Sequence, residues 1–411
     1  MKIRYYKTIT FLLLFSWGLF AFSSPAGESY SIEDLTTLLE QHNLRLQISE
    51  IDRSIAKAEY RTARALPNPE LELSKGNGKL LEKPGNATVW GVGVNVSIPN
   101  PIYRFYSLKS LRTHITAAQI EAKITRRSVI RDLKEHYFRL QFSRKIAALL
   151  QEKIDRLNEV YRITKAKADI GEAKEIDSLR ASVEIQKHKS HLFKMEKITA
   201  VAKTGINEFL NFSLKKDFSV VEDFGFTPLR DIETRIDLSI NKNPFVVLKQ
   251  NELAGKKAGL KAGRFSLIEA IDIHGERGKE VEAKIWKLGI GISIPLFNTR
   301  SAEISKAKYE RQKARKELEH AQKHLFADVN RITSEIRVLE KEIETFTGAV
   351  LKEGRKNIEL SEKLYKAGEI SLVVFLDSQN SFFEIEQRYY EAITEWKMLI
   401  AALEELLGEE I

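Results

Sequence analysis

Trp90-Gly-Val-Gly-Val-Asn-Val-Ser-Ile-Pro99 returns 196 residues later as Trp286-Lys-Leu-Gly-Ile-Gly-Ile-Ser-Ile-Pro295. In the first copy Val92, Val94, Val96 and Ile98 fall on one face, with Gly93, Asn95 and Ser97 on the other. In the second, Leu288, Ile290, Ile292 and Ile294 alternate with Gly289, Gly291 and Ser293. A period of two marks a strand. Aliphatic residues on one face and small or polar ones on the other suit a barrel wall with lipid outside and water within. The alternative is a soluble sandwich. It is weakened by the surroundings, because each strand pair stands alone between long helical stretches. Four strands make too small a sheet to close, and an open edge cannot face lipid. Barrels need eight or more strands. If these strands span a membrane, several chains must complete the wall, and three chains would supply twelve.

Two further anchors repeat at nearly the same offset. Ile170-Gly171-Glu172 matches Ala367-Gly368-Glu369, and Asn43 matches Asn243. Such self-similarity is the signature of an internal duplication, with one unit over 30–225 and the other over 230–411. Each unit reads helix, two short strands, very long helix, turn, helix. The strands are expected at about 70–75 and 90–98, then at about 266–274 and 285–294. The stretches 76–88 and 275–284, rich in glycine and charge, read as connecting loops. Trp90 and Trp286 sit at matching strand starts, where aromatic side chains meet a membrane interface. Pro99 and Pro295 end their strands, where a missing N–H and a fixed φ help redirect the chain into a helix.

The helices are long because little interrupts them. The whole chain holds only 9 prolines. Residues from about 104 to 167 form one apolar-periodic run, roughly 95 Å of helix. In the second unit Ala314, Leu318, Ala321, Leu325, Val329, Ile332, Ile336, Leu339 and Ile343 recur at steps of three and four, an apolar seam of the coiled-coil kind.

Composition bounds the rest. Charged residues make up 30% of the chain and hydrophobic ones 43%, which excludes both a disordered chain and a helical polytopic one. There is no cysteine, so disulfides, thiolate metal sites and cysteine nucleophiles are excluded. Lys2, Arg4 and Lys7, an apolar run from Ile9 to Phe22, and small residues at 23–26 have the order of a secretory signal peptide, expected over 1–25; the other reading is an uncleaved anchor. Without that leader the net charge falls from +9 to +6, too small and too dispersed for a nucleic-acid footprint. No nucleophile–base pair, phosphate loop or zinc signature appears, so no enzyme and no cofactor are predicted. His188 with His191 and His320 with His324 could each share a helix face, but they read as solvated surface rather than metal ligands.

Tyr365-Lys-Ala-Gly368-Glu-Ile-Ser-Leu-Val-Val-Phe-Leu-Asp377-Ser-Gln379 resembles the second periplasmic turn of TolC-like outer-membrane efflux proteins. Ile292-Ser-Ile-Pro295-Leu-Phe-Asn298 resembles their strand-to-helix junction, and Leu66-Pro67-Asn68-Pro69 is familiar above all from the heavy-metal branch. The likeness covers essentially the whole mature chain. It implies a mainly α protein contributing to a transmembrane β-barrel: a homotrimer with a twelve-stranded barrel in outer-membrane lipid and a periplasmic α-helical barrel below. Its implied role is a passive exit duct for a tripartite efflux or type I secretion system, working with a periplasmic adaptor and an inner-membrane transporter. A periplasmic coiled-coil adaptor or scaffold is the alternative; it would show one helical hairpin rather than a duplicated unit with strands in each half.

The resemblance also assigns roles. Gly171, Glu172, Gly368 and Glu369 would form the periplasmic tips that dock on an adaptor. Tyr365 and Asp177 occupy the positions of a tyrosine–aspartate tie that closes family members. The arginine of a second tie is replaced by Ile370, and of two pore-facing aspartates only Asp377 remains, with Val374 in the other place. A ring of Asp377 carboxylates would favour cations through their summed field.

Overall fold

The structure is a computed structural model, and it describes residues 29–79, 86–171, 174–215, 217–229, 242–268 and 270–408. The expected leader and Glu172 lie outside the described residues. Strand β1 (Ser29–Tyr30) leads into α1 (Ile32–His42) and α2 (Leu44–Arg64), then the hairpin β2 (Glu70–Lys79) and β3 (Asn86–Pro99). Helix α3 (Pro101–Asp169) and α4 (Glu175–Phe209) follow, and β4 (Ser219–Val220) pairs in parallel with β1. The second unit repeats this order: α5 (Pro244–Phe265), the hairpin β5 (Ala270–Lys279) and β6 (Lys284–Ile292), α6 (Ser301–Thr345), α7 (Leu351–Ala367) and α8 (Leu372–Leu407).

Helix starts follow the local chemistry. Ser31 and Asp34 form a reciprocal capping box at α1, the serine hydroxyl accepting from Asp34 N and the aspartate accepting from Ser31 N. Asn100 caps α3 by accepting from Ile102 N at 2.9 Å, and Pro101 takes the first turn, where its missing N–H costs nothing. Asn100 also donates through Nδ2 to Ile268 O at 2.8 Å, tying the start of α3 to the chain just before β5. Helix α3 then runs 69 residues without a break, about 100 Å. Its counterpart is less regular. Between α6 and α7 a π segment (Phe346–Val350) carries the helix on, with right-handed backbone at either end. The wider turn rotates the faces that follow it.

The buried seam is split into clusters along these rods. Beside the short β1–β4 pair, Leu35 and Leu39 pack with Leu133, Leu140, Ile206 and Leu210. The second unit builds the matching cluster from Val246, Val329, Ile336, Ile343, Ile393 and Leu403. Toward the turns, Ile154, Leu157, Ala181 and Ile185 meet Leu372, Phe375 and Leu376, so the two units share one core there. The expected seam from Ala314 to Ile343 is the buried face of α6.

Strands β2, β3, β5 and β6 form one antiparallel sheet in that order, which makes β2 and β6 its edges. Several expected bounds are corrected. Residues 76–79 and 86–88, read as loop, are strand, pairing Gly76 with Val89 and Lys79 with Asn86. Residues 275–279 and Lys284 are strand too, pairing Gly275 with Val94 and with Leu288. Glycines let neighbours lie across the ladder: a Cβ on Gly91 would meet the Glu276 carboxylate and the Ser74 hydroxyl at 2.7 Å. Trp90 and Trp286 accordingly stand inside their strands rather than at their starts. Strand β5 begins at Ala270 instead of 266, because Ser266 still caps α5 through its hydroxyl on Gly263 O. Pro99 ends β3 as expected, but β6 stops at Ile292, three residues before Pro295. The β5–β6 pairing ends there: Ile292 faces Ile271, and Ala270 at the start of β5 pairs only with Pro99 of β3.

Candidate functional site

The two helical turns are built alike. Gly171 and Gly368 both adopt φ of 78°, the left-handed region that suits glycine, and a Cβ at either position would meet nothing within 4 Å. The glycines are there for backbone conformation, and the surface above them is open. Gly368 N donates to Tyr365 O and Glu369 N to Leu364 O, the reciprocal pair that closes a helix end. Glu369 is exposed at this tip.

Just above the tips, Tyr365 and Asp177 line one cleft of about 350 Å³ with Thr164, Arg156, Lys167 and Gln379. The bond expected between the first two is not what the tyrosine makes. Its hydroxyl lies 2.8 Å from Thr164 Oγ1, which itself donates to Val160 O at 2.8 Å, so Tyr365 is the donor. The Tyr365 ring also stacks on Phe375, centroids 5.0 Å apart. The Asp177 carboxylate faces Arg180 at 3.7 Å instead. Asp377 is exposed on α8, one turn beyond exposed Val374.

Sequence reasoning missed a buried polar cluster midway along the rods. His188, read as solvated surface, is only 5% exposed. Lys153 Nζ reaches across from α3 to donate to Asn380 Oδ1 at 2.7 Å and to Gln379 O at 3.3 Å, and sits over the Phe383 ring. His188 Nε2 lies 3.3 Å from the same Asn380 oxygen and 3.5 Å from Glu184. Burial is the main reason Lys153 falls to about 8, with Glu184 opposing the shift. Burial also drives His188 down to about 4, reinforced by the Lys153 charge. A lysine at i, a half-buried asparagine 227 residues away and a histidine between them leave no local sequence signal. His320 and His324 do share an exposed face, rings 5.8 Å apart, with His324 bonded to Asp328.

The sheet separates two chemistries by face. Val92, Val94 and Ile98 are exposed on one side together with Leu71, Leu73, Leu288 and Ile290. Gly91 and Gly93 lie on the other, under Glu276 and His274. Trp90 and Trp286 stand on the aliphatic side, and Trp286 is 79% exposed. No helix among the described residues is long and apolar enough to cross a membrane.

Comparison with known proteins brings these features together. The family profile described as "Outer membrane efflux protein" matches residues 35–210 and 272–409. Nodulation protein T of Rhizobium leguminosarum bv. trifolii is 22% identical, the match covering 94% of this chain and 86% of that protein. The probable efflux pump outer membrane protein TtgC of Pseudomonas putida is 20% identical over 86% of this chain and 77% of its own length. Among solved structures, CusC superposes with a TM-score of 0.78 at 17% identity, covering 95% of this chain and 96% of that one.

Proposed function

The chain belongs to the outer membrane efflux protein family, and from that membership we propose how one copy contributes to the conduit. It is an efflux channel of the outer membrane that extends into the periplasm. The adaptor alternative finds no support, since the family match takes in both halves of the duplicated chain.

Three copies close the wall. The observation that carries this is the unfinished sheet: four strands, two open edges, and an aliphatic face turned outward with nothing to cover it. An open edge in hydrocarbon strands its backbone N–H and C=O groups, each at a cost of several kcal/mol. Joining β6 of one copy to β2 of the next satisfies both edges and gives twelve strands. Helix α2 supports the same assembly, because Leu44, Ile48, Ile51 and Ile55 are at least half exposed along one of its faces in the single copy. The two repeats then contribute alternate hairpins to a barrel, with the rods hanging below as a tube.

The turns at Gly171 and Gly368, with Glu369 and Glu172, are the docking tips for a periplasmic adaptor. Tyr365, Asp177 and Asp377 form the constriction just above them. In this reading substrate is driven by an inner-membrane transporter and passes through the duct passively. Native mass spectrometry of detergent-extracted outer membranes should weigh three copies per particle. A folded single copy, soluble without detergent, would overturn the reading. Docking is tested separately by Glu369→Cys: in a chain with no other cysteine, a cross-linker placed there should capture the adaptor.

A further inference from the structure

The register of the sheet places all of its carboxylates on one face. On the aliphatic side, the rows nearest the helices are Ile98–Ile271–Ile292, Val96–Ile273–Ile290 and Leu71–Val94–Gly275–Leu288. The next row is Leu73–Val92–Arg277–Trp286, and the one beyond it Lys75–Trp90–Lys279–Lys284. Lys79 closes the far end of β2 on the same side. That face therefore carries five cations and, among the described residues, no carboxylate. Every acid of the four strands (Glu70, Glu72, Asp272 and Glu276) faces the other way, with His274 and Lys287.

The five cations are exposed and make no ion pair among the described residues. Glu280 and Glu282 stand in the turn beyond them, and Glu280 is taken by Lys287 at 3.0 Å. A lysine row directed at bare hydrocarbon would be costly, so its height matters. From the Ile98 row to the Trp90 row is eight residues, about 27 Å along the strand and about 20 Å along the membrane normal at barrel tilt. That approaches the top of the outward apolar band, roughly 25 Å tall, above which headgroups begin. Two tryptophans in the same rows are the aromatic girdle of that level.

We propose that Lys75, Arg277, Lys279 and Lys284 form an outward cationic belt that binds phosphate groups on the headgroups of the outer-membrane lipid surrounding the barrel. The inference rests on the channel reading above. Twelve such residues encircle a three-copy barrel, and Trp90 and Trp286 mark the acyl-chain boundary at the same level. Arg277 offers the planar fork suited to phosphate, while the lysines supply point charge.

The test uses the assembled protein. Wild type and Lys75→Gln/Arg277→Gln/Lys279→Gln/Lys284→Gln are purified as detergent-stable oligomers. Each is placed in phosphatidylcholine nanodiscs with or without bisphosphorylated lipid A. Lipid A retained after a phosphatidylcholine wash should be about tenfold greater for wild type. Glu72→Gln/Glu276→Gln, altered on the opposite face, should retain as much as wild type. Equal retention by wild type and the cation-depleted variant overturns the belt while leaving the channel intact. Release of lipid A from wild type by inorganic phosphate at matched phosphate concentration overturns it too, in favour of a simple anion site. If wild type forms no oligomer, the channel reading fails and the belt with it.

Discussion

Asn43 and Asn243 do the same work in opposite halves of the molecule. Each caps a helix by accepting from backbone N–H groups, Leu46 N in one case and Phe245 N and Val246 N in the other. Each then donates through Nδ2 to a carbonyl near the end of the last helix of its unit, Phe209 O and Leu406 O. Both are buried. The duplication thus conserves a polar clip that joins the beginning of each unit to its end. Replacing either with Ala removes a cap and strands a carbonyl, a loss of about 1–3 kcal/mol. Thermal dissociation of the oligomer should shift down for Asn43→Ala and for Asn243→Ala, and an unchanged midpoint would refute the clip.

The tips separate backbone strain from docking. With open space around both glycines, Gly171→Ala and Gly368→Ala meet only the cost of a left-handed φ, about 1 kcal/mol each. Export should survive both. Gly171→Pro with Gly368→Pro loses the two turn N–H bonds and forbids the φ altogether. Export in whole cells should then stop while oligomers still reach the outer membrane.

In the cleft beside the turns, Tyr365→Phe removes the bond to Thr164 but leaves Thr164 satisfied by Val160 O, so stability should change by only about 1 kcal/mol. If this contact holds the channel shut, bilayer recordings of Tyr365→Phe should show higher conductance. Asp377→Asn should lower the preference for cations, read as a shift in reversal potential across a salt gradient. An unmoved reversal potential would remove Asp377 as the selective ring.

The buried cluster sets an acid limit. His188 titrates near 4 in the fold against about 6.5 unfolded, so below 6.5 the unfolded chain binds more protons. Stability is therefore lost as pH falls from about 6.5 toward 4, by on the order of a few kcal/mol. Lys153, held near 8, works in its own window: stability rises as pH climbs from about 8 to 10.5. His188→Gln should flatten the acid limb of dissociation temperature against pH and leave the alkaline limb in place. Retention of the full acid limb would exclude His188 as its source.

The parts legible in the sequence were those with local periodicity. The long helix expected over 104–167 is α3, and the alternation at Val92–Ile98 is strand β3. What stayed hidden depends on partners distant along the chain. Gly275 to Lys279 looked like a loop because glycine and charge are poor strand formers, yet strands on both sides hold them in register. His188 looked solvated because Asn380 and Phe383, which bury it, lie almost two hundred residues on. Tyr365 found Thr164 instead of Asp177 for a like reason: which hydroxyl lies within reach depends on how α7 settles against α3, and spacing within either helix does not specify that.

The two open edges of the sheet have a genetic consequence. When every copy must be zipped to both neighbours, one faulty copy leaves a seam that its companions cannot mend. A cell making equal amounts of sound subunits and subunits altered along β6 should assemble only about one intact ring in eight. Such alleles would then be dominant, and the loss of export from co-expression would be far steeper than the halving expected of independent pores.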